Sequence, residues 1–303
     1  MLSISNQAVI FLNAKNYDAL DTYIDKLRKS RESYDGGAWK FYFVYCGLDL
    51  PEQASELEWT NRLALLQDWI NARPNSITAR VALANDLTSY AWKARGSGWA
   101  STVTDEGGRL FEQRLNEASQ ILADAKPLKD RCPFYWTVKL ITYLGLGADR
   151  SQYDATFAEA TREWPDYSPY YTRRAYYLQP RWYGSDGEWE DDLTKSANRL
   201  GGDRGDILYA RVVWCMHQNR LFKNIFEESH LDWARVDRGL TLIEKQFPGS
   251  LAAISEHGYL AVLARDQETA RACFNRMDSR IDLSIWPSEQ RFMEFASWTY
   301  NDH

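Results

Sequence analysis

Apolar residues recur at intervals of three and four along most of the chain. Tyr17, Leu20, Ile24 and Leu27 form one stripe, Trp59, Leu63, Leu66 and Ile70 a second, and Phe111, Leu115, Ala118, Leu122 and Ala125 a third. Tyr153, Phe157, Ala160 and Trp164 continue the series, then Trp189, Leu193, Ala197 and Leu200, then Val236, Leu240, Ile243 and Phe247. Such spacing gathers residues on one face of an α-helix, so each stripe predicts an amphipathic helix with that face turned inward. No alternating stretch rich in Val, Ile and Thr competes with this pattern, and the predicted class is all-α.

The punctuation between stripes agrees with this reading. Ser151 with Asp154 and Ser185 with Glu188 have the spacing of a capping box, in which a hydroxyl and a carboxylate satisfy the free N–H groups of a helix start. Pro133 and Pro169 suit first helical positions, where the missing N–H costs nothing. Pro74, Pro165 and Pro248 follow stripes and stop them. Helices of about ten to twenty residues with short connections result.

Self-comparison adds a repeat. Gly258, Ala270, Phe274 and Met277 have the small, small, large, medium spacing of a tetratricopeptide repeat, in which small residues let two helix axes approach and the Phe fills the adjoining gap. Tyr153, Phe157, Ala160 and Pro165 repeat part of it, as do Val236, Leu240, Ile243 and Pro248. The chain resembles a degenerate tetratricopeptide-like α-solenoid of stacked antiparallel helix pairs. Residues 1–303 are expected to form a single elongated helical-repeat domain, with the clearest repeats at 134–167 and 251–284.

Two segments break the rhythm. One is Tyr90-Ala91-Trp92-Lys93-Ala94-Arg95-Gly96-Ser97-Gly98-Trp99, and the other runs from Leu178 through Pro180-Arg181-Trp182-Tyr183-Gly184-Ser185 into Asp186-Gly187-Glu188-Trp189-Glu190-Asp191-Asp192. In this order they resemble an uncharacterised bacterial family of tetratricopeptide-like proteins, a domain-of-unknown-function family, over about residues 35–290. That resemblance implies a fold and carries no catalytic residues.

Composition narrows the functions. Of 303 residues, 45% are hydrophobic and 26% charged, a globular balance, and the 14% aromatic share supplies large flat side chains for packing or recognition. The net charge of −6 disfavours a nucleic-acid partner and suits a basic one. The apolar run Ala8 to Leu12 is too short for a signal peptide and no segment spans a bilayer, so a cytoplasmic location without a membrane partner is expected. Cys46, Cys132, Cys215 and Cys273 include no C-x-x-C pair and read as buried free thiols.

Candidate chemistry is sparse. His217, His230, His257 and His303 are far apart, and Glu228-x-His230 lacks further ligands, so neither a metal nor a cofactor is expected. The acids Asp186, Glu188, Glu190, Asp191 and Asp192 lack the ligand spacing of a calcium loop and read as a helix N-terminus. Gly96-Ser97-Gly98 reads as a turn or helix cap. No nucleophile motif, P-loop or dinucleotide fingerprint occurs, so no catalytic residue is selected.

The candidate partner-binding residues are Trp92, Arg95, Trp99, Tyr170, Tyr171, Arg173, Arg174, Arg181, Trp182 and Trp189. Interleaved Tyr and Arg over 170–182 have two readings: Arg stacked on Tyr in a polar core, or a recognition surface, since Tyr, Trp and Arg anchor interfaces. The turns at 90–99 and 180–192 are expected to edge one binding surface, or else Arg95 and Arg181 cap helix ends and the Trp residues pack locally. The expected function is a protein-binding module without catalysis, an adaptor or a toxin-neutralising (immunity) partner in bacteria. The alternative is an α-helical enzyme acting on a polar substrate such as a carbohydrate through stacked Trp92, Trp99, Trp182 and Trp189 and a carboxylate pair. RNA binding by the Tyr and Arg cluster ranks last.

Overall fold

Every stripe lies on a helix of the computed structural model, which describes residues 2–301, with Trp164 and Phe247 capping the ends of theirs. The fifteen α-helices among the described residues are Leu2–Asn13 (α1), Tyr17–Ser30 (α2), Lys40–Leu48 (α3), Glu56–Ala72 (α4), Ile77–Arg95 (α5), Asp105–Ala125 (α6), Pro133–Leu146 (α7) and Arg150–Glu163 (α8), followed by Pro169–Tyr177 (α9), Glu188–Leu200 (α10), Gly202–Gln218 (α11), Trp233–Gln246 (α12), Leu251–Leu263 (α13), Gln267–Met277 (α14) and Glu289–Tyr300 (α15). No strand occurs among these residues beyond one isolated bridge between Ser33 and Trp39. The class is all-α.

The stripes mark α2, α4, α6, α8, α10 and α12, which bury one face each; in α12 that face is Val236, Gly239, Leu240 and Ile243. Several odd-numbered helices are apolar on more than one face. In α5, Ile77, Val81, Leu83, Leu87, Tyr90 and Ala91 are all buried, and α13 buries nine of its 13 residues. A helix enclosed on several sides has no polar face to contrast with an apolar one, so a stripe does not reveal it.

Caps follow the sequence in part. Pro133 and Pro169 open α7 and α9, and Pro74, Pro165 and Pro248 follow the ends of α4, α8 and α12. Ser151 does not cap a helix: α8 begins one residue earlier with Asp149 at the cap, and Asp154 pairs instead with Arg150 at 3.0 Å. Ser185 does bond Glu188, its N–H donating over 2.9 Å, but Gly187 occupies the cap of α10, so the pair locks the preceding turn. A box not singled out in the sequence, Ser55 with Glu58, opens α4.

The contacts divide the chain into two compact units, one of Met1–Tyr34 with Ala38–Trp164, the other of Asp35–Gly37 with Pro165–His303. In the first, α5 packs on α3, α4, α6 and α7, and α1 packs on α2 and α3. In the second, each helix from α9 to α15 packs on the next, and α9 also meets α11 as α13 meets α15. Rings of Trp214 and Tyr259 join α11 to α13 at 5.9 Å, so the odd-numbered helices of this unit are neighbours.

Small and large side chains set how closely neighbouring helices approach. A Cβ at Gly258 would lie 3.0 Å from the Cβ of Cys273 and 3.3 Å from Met277 Cε, so α13 and α14 approach where the side chain is missing. Phe274 is buried beside Trp286 and Phe292. At Gly239 a Cβ would fall 2.2 Å from the carbonyl oxygen of Asp206, which sets the close crossing of α11 and α12.

Candidate functional site

In the second unit, polar side chains from three neighbouring helices form a row: Thr172 and Arg173 on α9, Arg211 and Cys215 on α11, and Glu256 on α13. Arg211 and Cys215 are one turn apart and share a face of α11. All five are partly exposed, while the opposite side of α11 buries Leu208, Tyr209, Val212, Val213 and Met216. Of this row, only Arg173 is among the binding candidates legible in the sequence.

The row is electrostatically lopsided. Burial pushes the Glu256 carboxyl up to about 8, against the opposing pull of the Arg211 charge, so Glu256 is mostly neutral at pH ~7. Burial likewise raises the Cys215 thiol, with Glu256 adding to the rise and Thr172, Arg211 and Arg173 opposing it. Burial lowers the Arg211 guanidinium from its usual value, but an arginine stays charged. Among the described residues no carboxylate lies within ion-pair distance of Arg211; its Nη2 donates to the Gly36 carbonyl at 2.9 Å. Gly37, with φ of +83°, has the Arg211 guanidinium where a Cβ would be. At Arg211 the row therefore presents positive charge beside an acid, Glu256, that burial holds mostly neutral.

The sequence candidates fall into two groups. Tyr170, Tyr171, Arg174 and Trp189 are buried. Tyr171 donates its hydroxyl to the Pro165 carbonyl at 2.9 Å, Arg174 reaches Asp192 at 3.3 Å, and Trp189 packs on Phe222. Arg173 and Trp182 are half-buried, the latter against Tyr176, and Arg181 is exposed with its guanidinium 5.7 Å from the Trp182 ring. In the first unit, Arg95 donates to the carbonyls of Gly96 and Gly98, both at 3.1 Å, and holds the turn after α5. Trp92 packs on Phe111, whereas Trp99 is 72% exposed. The two turns belong to different units.

Other polar places carry less. A cavity of about 330 Å³ in the first unit is lined by Asp21, Asp25, Arg28, Arg73, Ser76 and Thr78, among others. Its charges pair with one another: Arg28 with Asp25 at 2.5 Å and Arg73 with Asp21 at 3.3 Å. Asp86 on α5 is fully buried, neither carboxylate oxygen has a hydrogen-bond partner, and burial with the nearby Asp49 charge holds its acid well above the usual range. These two acids are a carboxylate pair, but Asp86 is sealed from solvent.

The thiols correct one expectation, and His257 has partners that the sequence did not show. His257 is joined to Glu244 and Asp237 and lies near Cys273, although 13 to 20 residues separate it from each of them. Burial alone would lower its imidazole, but the Cys273 and Glu244 contacts outweigh that and raise it to about 10. Glu228 locks a turn by accepting from the N–H groups of Lys223 and Asn224, and His303 lies outside the described residues. Cys132 and Cys273 are buried as expected, but Cys46 is exposed and Cys215 half-buried. No described helix is long and apolar enough to cross a membrane.

No curated protein matches the chain. Residues 6–129 match a family model described as Domain of unknown function (DUF4034), a stretch that contains Ala91-Trp92-Lys93-Ala94-Arg95-Gly96 and ends before Pro180-Arg181-Trp182, so the match to a family of unknown function is narrower than 35–290 and confined to the first part of the chain.

Proposed function

We propose that the chain is a tetratricopeptide-like binding module without catalysis, which grips a carboxylate-bearing segment of a partner protein or peptide on the row of Arg173, Arg211 and Glu256. The observation that carries this reading is Arg211, a partly exposed guanidinium with no carboxylate within ion-pair distance among the described residues and with the mostly neutral Glu256 as its neighbouring acid. A guanidinium holds a carboxylate through two parallel hydrogen bonds, and a partly desolvated setting strengthens them. Glu256 in its protonated form can donate to the same ligand rather than repel it.

Stacked helix pairs offer such a surface because successive pairs align equivalent helices side by side. The close packing at Gly258 and Gly239 supports that construction. The net charge of −6 suits a basic partner at long range, but salt screens that attraction within about 8 Å, and the local row governs what seats on it. An adaptor or a toxin-neutralising partner in a bacterial cytoplasm is the role proposed for such a module. The carbohydrate-enzyme reading loses ground because Trp189 is 2% exposed, and Trp92 and Trp182 are half-buried against Phe111 and Tyr176. The test is affinity for an acidic peptide ligand: Arg211→Glu should weaken it roughly 30-fold or more, about 2 kcal/mol. Unchanged affinity in a folded variant would remove Arg211 from the site.

A further inference from the structure

Three successive helices of the second unit bring metal-ligating side chains to one point. Asp237 and Glu244 stand two turns apart on α12, His257 is on α13, and Cys273 and Arg276 are on α14. One ligand atom each from Glu244, His257 and Cys273 lies within 4.8 Å of the others. The His257 Nδ1 is 2.6 Å from a Glu244 carboxylate oxygen, and its Nε2 is 2.9 Å from Asp237. His257 and Cys273 are buried, and Glu244 is nearly so.

We propose that Cys273, His257 and Glu244 form a binding site for a divalent transition metal of the zinc class, with Asp237 orienting the imidazole. Thiolate, imidazole and carboxylate are the donors such an ion takes. A ligating histidine typically has its far nitrogen held by a carboxylate, and Asp237 stands in that place. Bonds of about 2.0–2.3 Å set ligand atoms roughly 3.3–3.6 Å apart in a tetrahedron, so the site closes around an ion by small side-chain movements.

Arg276 is a cation that competes for the same donors. It donates to both Glu244 carboxylate oxygens and, at 3.2 Å, to the Cys273 sulfur. Its side chain is 47% exposed, which gives it a way out to solvent. The charges balance on exchange: one dication enters, the imidazolium proton and the thiol proton leave, and the guanidinium stays nearby. Three protein ligands leave a fourth position for water.

Cobalt(II) titration of the full chain tests the site. A thiolate-to-cobalt charge-transfer band saturating at one ion per chain is expected, and zinc should abolish it. Asp237→Asn should weaken cobalt binding about 10- to 100-fold by freeing the imidazole. Arg276→Gln should tighten it by removing the competing cation, an effect that loss of a merely structural ion pair would not produce. Cys273→Ser should lose the band; if that variant does not fold, the chain carrying Cys46→Ser, Cys132→Ser and Cys215→Ser should keep it. Absence of the band in the unmodified chain, its persistence in folded Cys273→Ser, or its loss from the variant retaining only Cys273 would overturn the proposal.

Discussion

At the scale of single residues, partly buried groups decide how stability depends on pH. Glu256 keeps its proton up to about 8 in the folded chain, whereas an unfolded glutamate releases it near 4.5. Between those values the folded state binds more protons, so the Glu256 contribution is present at low pH and lost as pH rises through the window, by up to about 1.4 kcal/mol per unit. Glu256→Gln should flatten that decline, read as urea midpoints at about pH 5 and about pH 8. An unaltered pH profile would mean that Glu256 is better solvated than its place on α13 implies. Arg211 and Glu256 were illegible in the sequence because they lie 45 residues apart with no motif spacing to join them, and only the packing of α11 beside α13 brings them together. Cys273 and His257 were missed for the same reason, being aligned by the approach of α13 to α14 at Gly258.

At the scale of elements, the glycine contacts and Phe274 set the spacing of helix pairs. Phe274→Ala should cost about 3–5 kcal/mol in chemical denaturation, because Trp286 and Phe292 cannot collapse fully into the space left. A loss below about 1 kcal/mol would mean that Phe274 does not fill the gap beside α13. Gly239→Val should destabilise by roughly 1–3 kcal/mol, since any Cβ there meets the Asp206 carbonyl and forces α11 and α12 apart. The stripes from Tyr17 to Phe247 were readable because those helices keep one polar face. The helices α5 and α13 offer no such contrast and carry no stripe. Ser151 misled because Ser-x-x-acid spacing occurs inside a helix as readily as at its start, and only the position of Asp149 shows which applies. The Tyr and Arg segment resolved by helix face: Tyr170, Tyr171 and Arg174 turn into the core, and Arg173, next to them in sequence, joins the row.

At the scale of the whole molecule, circular dichroism should give a strongly helical spectrum, and an appreciable sheet signal would contradict the assignment of all fifteen helices. The proposed binding role places the polar row at the centre of recognition. The most direct test selects ligands from a displayed random-peptide library with the full-length chain, then measures their affinity for the unmodified protein and for folded Arg211→Glu. The account predicts peptides that share a carboxylate at a fixed position and lose roughly 30-fold or more of their affinity to the substitution. Recovery of no peptide above background, or of peptides indifferent to Arg211→Glu, would contradict it.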